Sequence, residues 1–219
     1  MRTIRVLAAL AALSLCTTTL PAQTDGTCVP IAARAGRKLG CFITARHELG
    51  RLNGRPPLYW HLQRFATLPA ARHTAARDRR SMVVESFAQH WVFTIAPFDW
   101  RPKAGRRFAR VGPLPLVQAD SFAAVYMEAA FEPRMHSMVH RHPGAEAWFT
   151  LEGSQCLETP NGTLEQSAGD PGMVVAGGLP MILTGTGSGL RRSLVVILQD
   201  ATKPRSTPAS DWTPKGLCR

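Results

Sequence analysis

The sequence predicts a mainly β fold, an antiparallel barrel or sandwich preceded by a small α+β extension. Three observations carry that prediction. From Ser121 to Gln199 the chain breaks into short apolar or alternating segments separated by turn residues, the texture of many short strands. The 219 residues include 18 glycines and 17 prolines but only 7% aromatics, and amphipathic helical runs are missing. Within the strand-rich region, Thr159-Pro160-Asn161-Gly162 contains an Asn-Gly pair, the strongest short hairpin signal. With 45% hydrophobic and 19% charged residues the chain can bury a core, so wholesale disorder is excluded. No 20–50-residue repeat occurs, which removes solenoids and propellers. No apolar run reaches the roughly 18 residues that span a bilayer.

The elements follow in chain order. Met1 to Arg5 is a short basic stretch and Val6 to Leu15 an apolar run, followed by Leu20-Pro21-Ala22, a cleavage site before Gln23. Residues 1–22 therefore read as a secretory signal peptide, and the expected location is periplasmic or secreted. A lipid anchor at Cys16 is the weaker reading, because bulky Leu15 stands where a small residue is wanted. Export leaves four cysteines, Cys28, Cys41, Cys156 and Cys218, in an oxidising compartment. Three pairings are open. The preferred one joins Cys28 to Cys218 at the two ends, with Cys41 and Cys156 equally readable as buried free thiols.

Residues 39–115 read as a β-β-α-β-β unit. Its strands are Gly40–Thr44, Pro57–Leu62, Ser81–Phe87 and Trp91–Ile95. Its helix is capped by Thr67, with Pro69 in the first turn and Arg77, Arg79 and Arg80 near its end. His47, His61, His73 and His90 lack metal-ligand spacing and read as surface or packing residues. The formal charge is +11, and the densest basic stretch, Arg101–Arg110, reads as a solvated loop among Pro and Gly. An exported chain rarely meets nucleic acid, so no nucleic-acid partner is expected despite the charge. Residues 120–200 form the barrel segment. Residues 201–219 form an irregular tail pinned by Trp212 and Cys218.

The chemistry concentrates in His140-Arg141-His142-Pro143-Gly144-Ala145-Glu146. Strand residues two apart share a face, so His140 and His142 present two imidazoles together. A Pro143-Gly144 turn then brings Glu146 beside them on the next strand. Two neutral imidazoles and one carboxylate suit a divalent transition metal and leave coordination positions open. The same alternation puts His136 and Met138 on the face of His140, with His136 about 13 Å away along the strand, at a pocket mouth. Trp148 shares the face of Glu146, and Gln155 on the following strand adds a polar contact to the ligand pocket. Of Arg191 and Arg192, alternation points one inward, where an acidic ligand could meet it. Gly185-Thr186-Gly187-Ser188-Gly189 lacks the Lys of a phosphate loop and reads as a turn. No Gly-x-Ser-x-Gly elbow is present.

These residues resemble the cupin superfamily. His140, His142, Glu146 and Gly153 match its first motif, and Gly169-Asp170 through Pro180-Met181 resembles its second. The resemblance covers residues near 120–200 and implies a jelly-roll β-barrel. It implies a metal held by His140, His142 and Glu146. Met181 stands where the family's second motif closes on a histidine, and three readings stay open. The three ligands suffice alone, or Met181 adds a thioether that favours copper, or the site is degenerate and holds no metal. The implied cofactor is Fe, Mn, Zn, Ni or Cu. The implied function is metal-dependent binding of a small organic molecule, as in an oxygenase- or isomerase-type enzyme. The alternative is a metal-free periplasmic binding or sensing protein. Pairing into a homodimer is implied by the resemblance only.

Overall fold

The computed structural model describes residues 28–218, so the expected signal peptide lies outside the described residues. The chain opens with β1 (Val29–Pro30) and β2 (Gly40–Gly50), then β3 (Leu58–Phe65), α1 (Leu68–Ala75), β4 (Ser81–Ser86), β5 (Gln89–Pro97) and β6 (Arg107–Leu114). The strand-rich part holds β7 (Phe122–Phe131), β8 (His140–Arg141), β9 (Gly144–Glu152), β10 (Ser154–Thr159) and β11 (Gly162–Ser167). It continues through β12 (Met173–Val175), β13 (Ile182–Thr186), β14 (Arg191–Asp200) and β15 (Thr207–Pro208). These strands build three layers. A six-stranded sheet, β1-β2-β7-β14-β9-β12, lies between a three-stranded sheet, β11-β10-β13, and a four-stranded sheet, β4-β5-β3-β6.

The middle layer explains the composition of its strands. Every residue of β7 is buried, because each face of the sheet meets a different core. Phe122, Ala124 and Tyr126, with Leu194, Val196 and Leu198 of β14, pack against Trp60, Leu62, Trp91 and Phe93 of the four-stranded sheet. The opposite face carries Val125, Met127, Ala129 and Phe131, with Val195 and Ile197. It closes the barrel against Leu157 and Leu183 of the three-stranded sheet. A strand buried on both sides reads as a continuous apolar run instead of an alternation.

The mainly β fold and its barrel are as the sequence predicts, and the cap of α1 is too: the Thr67 hydroxyl accepts from the Ala70 N–H. Several particulars differ. β2 does not stay with the small unit but pairs with β7, extending the barrel sheet. The last four residues of the basic stretch expected as a loop, from Arg107 to Arg110, belong to β6, an edge strand paired to β3 in which Pro113 costs no ladder bond on its outer side. α1 stops at Ala75, so Arg77, Arg79 and Arg80 lie beyond its end. The hairpin after β10 turns on Pro160-Asn161, with Gly162 at φ 113° opening the return strand.

The disulfides are Cys28–Cys41 and Cys156–Cys218, not Cys28–Cys218, and neither Cys41 nor Cys156 is free. Sheet pairing explains both. β1 runs parallel to β2 with Val29 beside Phe42, which sets Cys28 against Cys41. The buried Glu158 carboxylate on β10 accepts from the backbone N–H groups of Lys215 and Leu217, which draws Cys218 to Cys156. The tail is also ordered by β15, which pairs with β8, and by an Arg141–Asp211 ion pair at 2.6 Å.

Candidate metal centre

Four backbone constraints place the imidazoles and the carboxylate. His140 and Met181 exchange both backbone hydrogen bonds, at 3.1 and 2.8 Å, fixing β8 against the turn before β13. Pro143 then turns the chain into β9. There a Cβ on Gly144 would lie 2.1 Å from the Leu198 carbonyl oxygen, so only glycine permits this approach to β14. Gly153, at the end of β9, has φ 68°, and a Cβ there would lie 2.6 Å from the Leu190 oxygen. Finally β15 runs beside β8 and brings the backbone of Arg205 over His142.

The Nε2 atoms of His140 and His142 lie 3.1 Å apart, and Nε2 of His142 is 3.0 Å from Oε2 of Glu146. One donor atom from each of the three residues falls within 4.8 Å of the others. His142 and Glu146 are buried and His140 half-buried. Each imidazole is held from behind: Nδ1 of His140 lies 2.7 Å from the Met138 carbonyl and Nδ1 of His142 lies 2.6 Å from the Arg205 carbonyl. A carbonyl only accepts, so each Nδ1 donates to it, and each Nε2 is the ring nitrogen turned toward the other groups of the centre. Burial, reinforced by the neighbouring His142, pushes the His140 pKa below the usual histidine range and keeps it neutral. Two imidazole nitrogens and a carboxylate oxygen thus converge on one point. The donor set and the carbonyls behind the two imidazoles fit a divalent transition metal.

Beside these groups is a cavity of about 50 Å³, room for roughly four waters or a small organic molecule. Phe131, Met138, Trp148, Met181 and Leu183 line it, so its wall is largely apolar with the polar groups gathered at the metal end. Met181 is fully buried, lies directly across from His140 and belongs to the apolar cluster of Trp148 and Leu183.

The expected pocket residues divide. Met138 and Trp148 line the cavity, but His136 and Gln155 do not. The stretch in which His136, Met138, His140 and His142 were expected to alternate as a strand is regular only at His140–Arg141. It is interrupted after Arg134 at φ 66°, and Ser137 takes both the Leu183 carbonyl and, through its hydroxyl, the Leu183 N–H. Simple alternation therefore fails there, and His136 bonds instead to the Ser137 carbonyl at 2.9 Å. Gln155 is fully buried in a polar network, bonded to Gln166 at 2.9 Å and to Nε of Arg191 at 2.6 Å. Arg191 is the inward member of its pair, fully buried with its guanidinium 5.0 Å from the Phe131 ring, whereas Arg192 reaches out to Glu152. Two contributors escaped the sequence reading. Arg205 and the Cys28–Cys41 disulfide both line the cavity, and neither segment carries a motif or a periodicity that would single it out.

Several solved structures show a partial likeness to this chain. They include an uncharacterized conserved protein with a double-stranded β-helix domain from Klebsiella pneumoniae. It is 19% identical with a TM-score of 0.34 over 50% of this chain and 84% of that one. A DMSP lyase from Ruegeria pomeroyi is 17% identical with a TM-score of 0.35, over 42% of this chain and 45% of that one. The polyketide cyclase RemF from Streptomyces resistomycificus is 24% identical with a TM-score of 0.33, over 40% of this chain and 63% of that one. The chain thus spans less than half of the lyase and less than two thirds of the cyclase. No protein-family model and no curated protein matches the sequence. The resemblance to the cupin superfamily rests on the His140, His142, Glu146 and Gly153 motif.

Proposed function

We propose that this protein binds one divalent transition metal through Nε2 of His140, Nε2 of His142 and the Glu146 carboxylate. A small organic ligand occupies the adjoining cavity, in an oxidising compartment outside the cytoplasm. The single observation that carries the metal reading is the pair of Nδ1–carbonyl hydrogen bonds, which turn two lone pairs toward one carboxylate. Two disulfides support the compartment, and among the described residues no helix is long and apolar enough to cross a membrane.

When bound, the metal would supply Lewis acidity or activate oxygen. The chain's own residues do the rest. Glu146 serves as a ligand and not as a free base, and the carbonyls of Met138 and Arg205 hold the imidazoles in the ligating tautomer. Trp148, Met138 and Met181 keep the cavity largely dry. Met181 acts here as wall, and the three remaining donors suffice for the metal.

The second reading, a metal-free binding or sensing protein, is favoured by the loss of the fourth histidine at Met181. Metal content decides between them. About one equivalent of a transition metal is expected in untagged protein, with less than a tenth of that in His140→Ala and Glu146→Ala. A parent protein that contains none, and takes up none of Fe(II), Mn, Ni, Zn or Cu, would leave only the metal-free reading.

A further inference from the structure

We infer that the cavity takes an anionic ligand, a small carboxylate or comparable oxyanion, and that the Arg205 guanidinium is the group that holds it. The inference rests on the cavity of the reading above and stands whether or not a metal is bound.

The first ground is a charge imbalance. Among the described residues Glu146 is the one carboxylate lining the cavity, and it faces two guanidinium groups, those of Arg205 in the wall and Arg191 behind Phe131. Among the described residues, neither arginine has a carboxylate within ion-pair distance, although five other arginines do. A bound divalent cation would widen the positive excess. An apolar-walled cavity with surplus positive charge favours an anion over a neutral or cationic guest of the same size.

The second ground is the set of free donors. Arg205 is half-buried and gives one guanidinium N–H to the Cys28 carbonyl, at 2.9 Å, which fixes its direction along the cavity wall. Its other guanidinium nitrogens have no partner among the described residues. A guanidinium anchored by one nitrogen presents its remaining N–H groups as a fork matched to a carboxylate. Arg191 reinforces the preference from outside contact range. Its Nε is taken by Gln155, while Nη1 and Nη2 are buried and unpartnered. It adds a fixed positive field to a region from which water is largely excluded.

The third ground is size. A cavity of about 50 Å³ fits the reacting end of a ligand of a few heavy atoms, with a carboxylate at Arg205 and the rest against Trp148 and Met138.

The test compares charged probes with neutral isosteres: formate, acetate and malonate against formamide, acetamide and malonamide. Binding is followed by ligand-detected NMR on chelator-treated protein, so that direct coordination to a metal cannot contribute. The parent is expected to favour each carboxylate at least tenfold over its amide. Arg205→Gln keeps the backbone carbonyl behind His142 but should bring that preference below about threefold, and Arg205→Lys should restore part of it. Equal binding of acid and amide by the parent would overturn the inference, and so would an undiminished preference in Arg205→Gln. Circular dichroism of both variants separates a lost preference from a lost fold. Metal content, measured separately, can fail without touching this result.

Discussion

Nδ1 of His142 lies 2.6 Å from the backbone oxygen of Arg205, across a sequence separation of 63 residues. The second imidazole of the candidate centre is therefore oriented from outside the barrel strands, by a segment that is itself tied down elsewhere. The Arg205 side chain reaches the Cys28 carbonyl, and Cys28 is bonded to Cys41 on β2. A mechanical chain runs from the disulfide through Arg205 to the imidazole.

Cutting that chain at its start should be felt at its end. Cys28→Ser with Cys41→Ser is expected to weaken metal binding by about tenfold, in the range for lost support behind a ligand. The bridge closes a loop with a sequence separation of 13, so its loss should also cost about 3 kcal/mol of unfolding free energy. Competition against a chelator of known affinity reads the first effect and urea unfolding the second. Unchanged metal affinity in a folded double variant would break the proposed link.

Met181 gives a contrasting pair of variants. Met181→Leu keeps shape and apolarity, so metal affinity should stay within about threefold and stability within about 1.5 kcal/mol. Met181→His places a fourth imidazole directly across from His140 and should tighten zinc or iron binding at least tenfold. A large loss in Met181→Leu, confined to copper, would show the thioether to be a ligand.

The turn into β9 permits a stringent test of geometry. Gly144→Ala sets a Cβ against the Leu198 backbone, 2.1 Å from its oxygen, where no flexible side chain can yield. The expected cost is about 3 kcal/mol or more, together with loss of metal, because the turn is what carries Glu146 to the histidines. Thermal unfolding and metal content of the same sample check both.

His61 predicts a pH dependence unrelated to the site. It is fully buried, its Nε2–H is shared between the carbonyls of Ala96 and Pro97, and Nδ1 has no partner. Burial, aided by the Arg107 charge, lowers its pKa from 6.5 to about 4. A lowered pKa means that the unfolded chain takes up the proton first. The contribution of neutral His61 is complete above pH 6.5 and is lost as the pH falls from 6.5 to about 4. It amounts to at most about 3 kcal/mol. Urea midpoints measured across that range should fall for the parent and fall less for His61→Gln. Parallel slopes would remove His61 as the source.

How much of this was legible follows from the range of each interaction. His140, His142 and Glu146 were readable because strand alternation and one tight turn are local rules, needing only seven consecutive residues. The Thr67 cap was readable for the same reason. Phe122–Phe131 is one of the short apolar segments between Ser121 and Gln199, but nothing in it says that two different cores use its two faces. That follows from the three-stranded and four-stranded sheets covering its opposite faces. His136 was misplaced because alternation presumes a regular strand, and the segment before His140 spends its hydrogen bonds on Ser137 instead. Arg205 was invisible because it acts through a backbone carbonyl, which every residue possesses, in a segment with no period to reveal its neighbours. The disulfide pairing depended on the parallel bridge of Val29 to Phe42 and on the grip of Glu158 on the tail, both non-local.

The hold of Arg205 on His142 also sets a timetable. On a chain emerging from its N-terminus, both histidines and the strand carrying Glu146 are complete while the residue that orients His142 is still about fifty positions short of synthesis. β14, which lies between β7 and β9 in the barrel sheet, ends at Asp200, so the hold on the second imidazole is made only after the whole sheet has been synthesised, and it comes from a residue five positions further on.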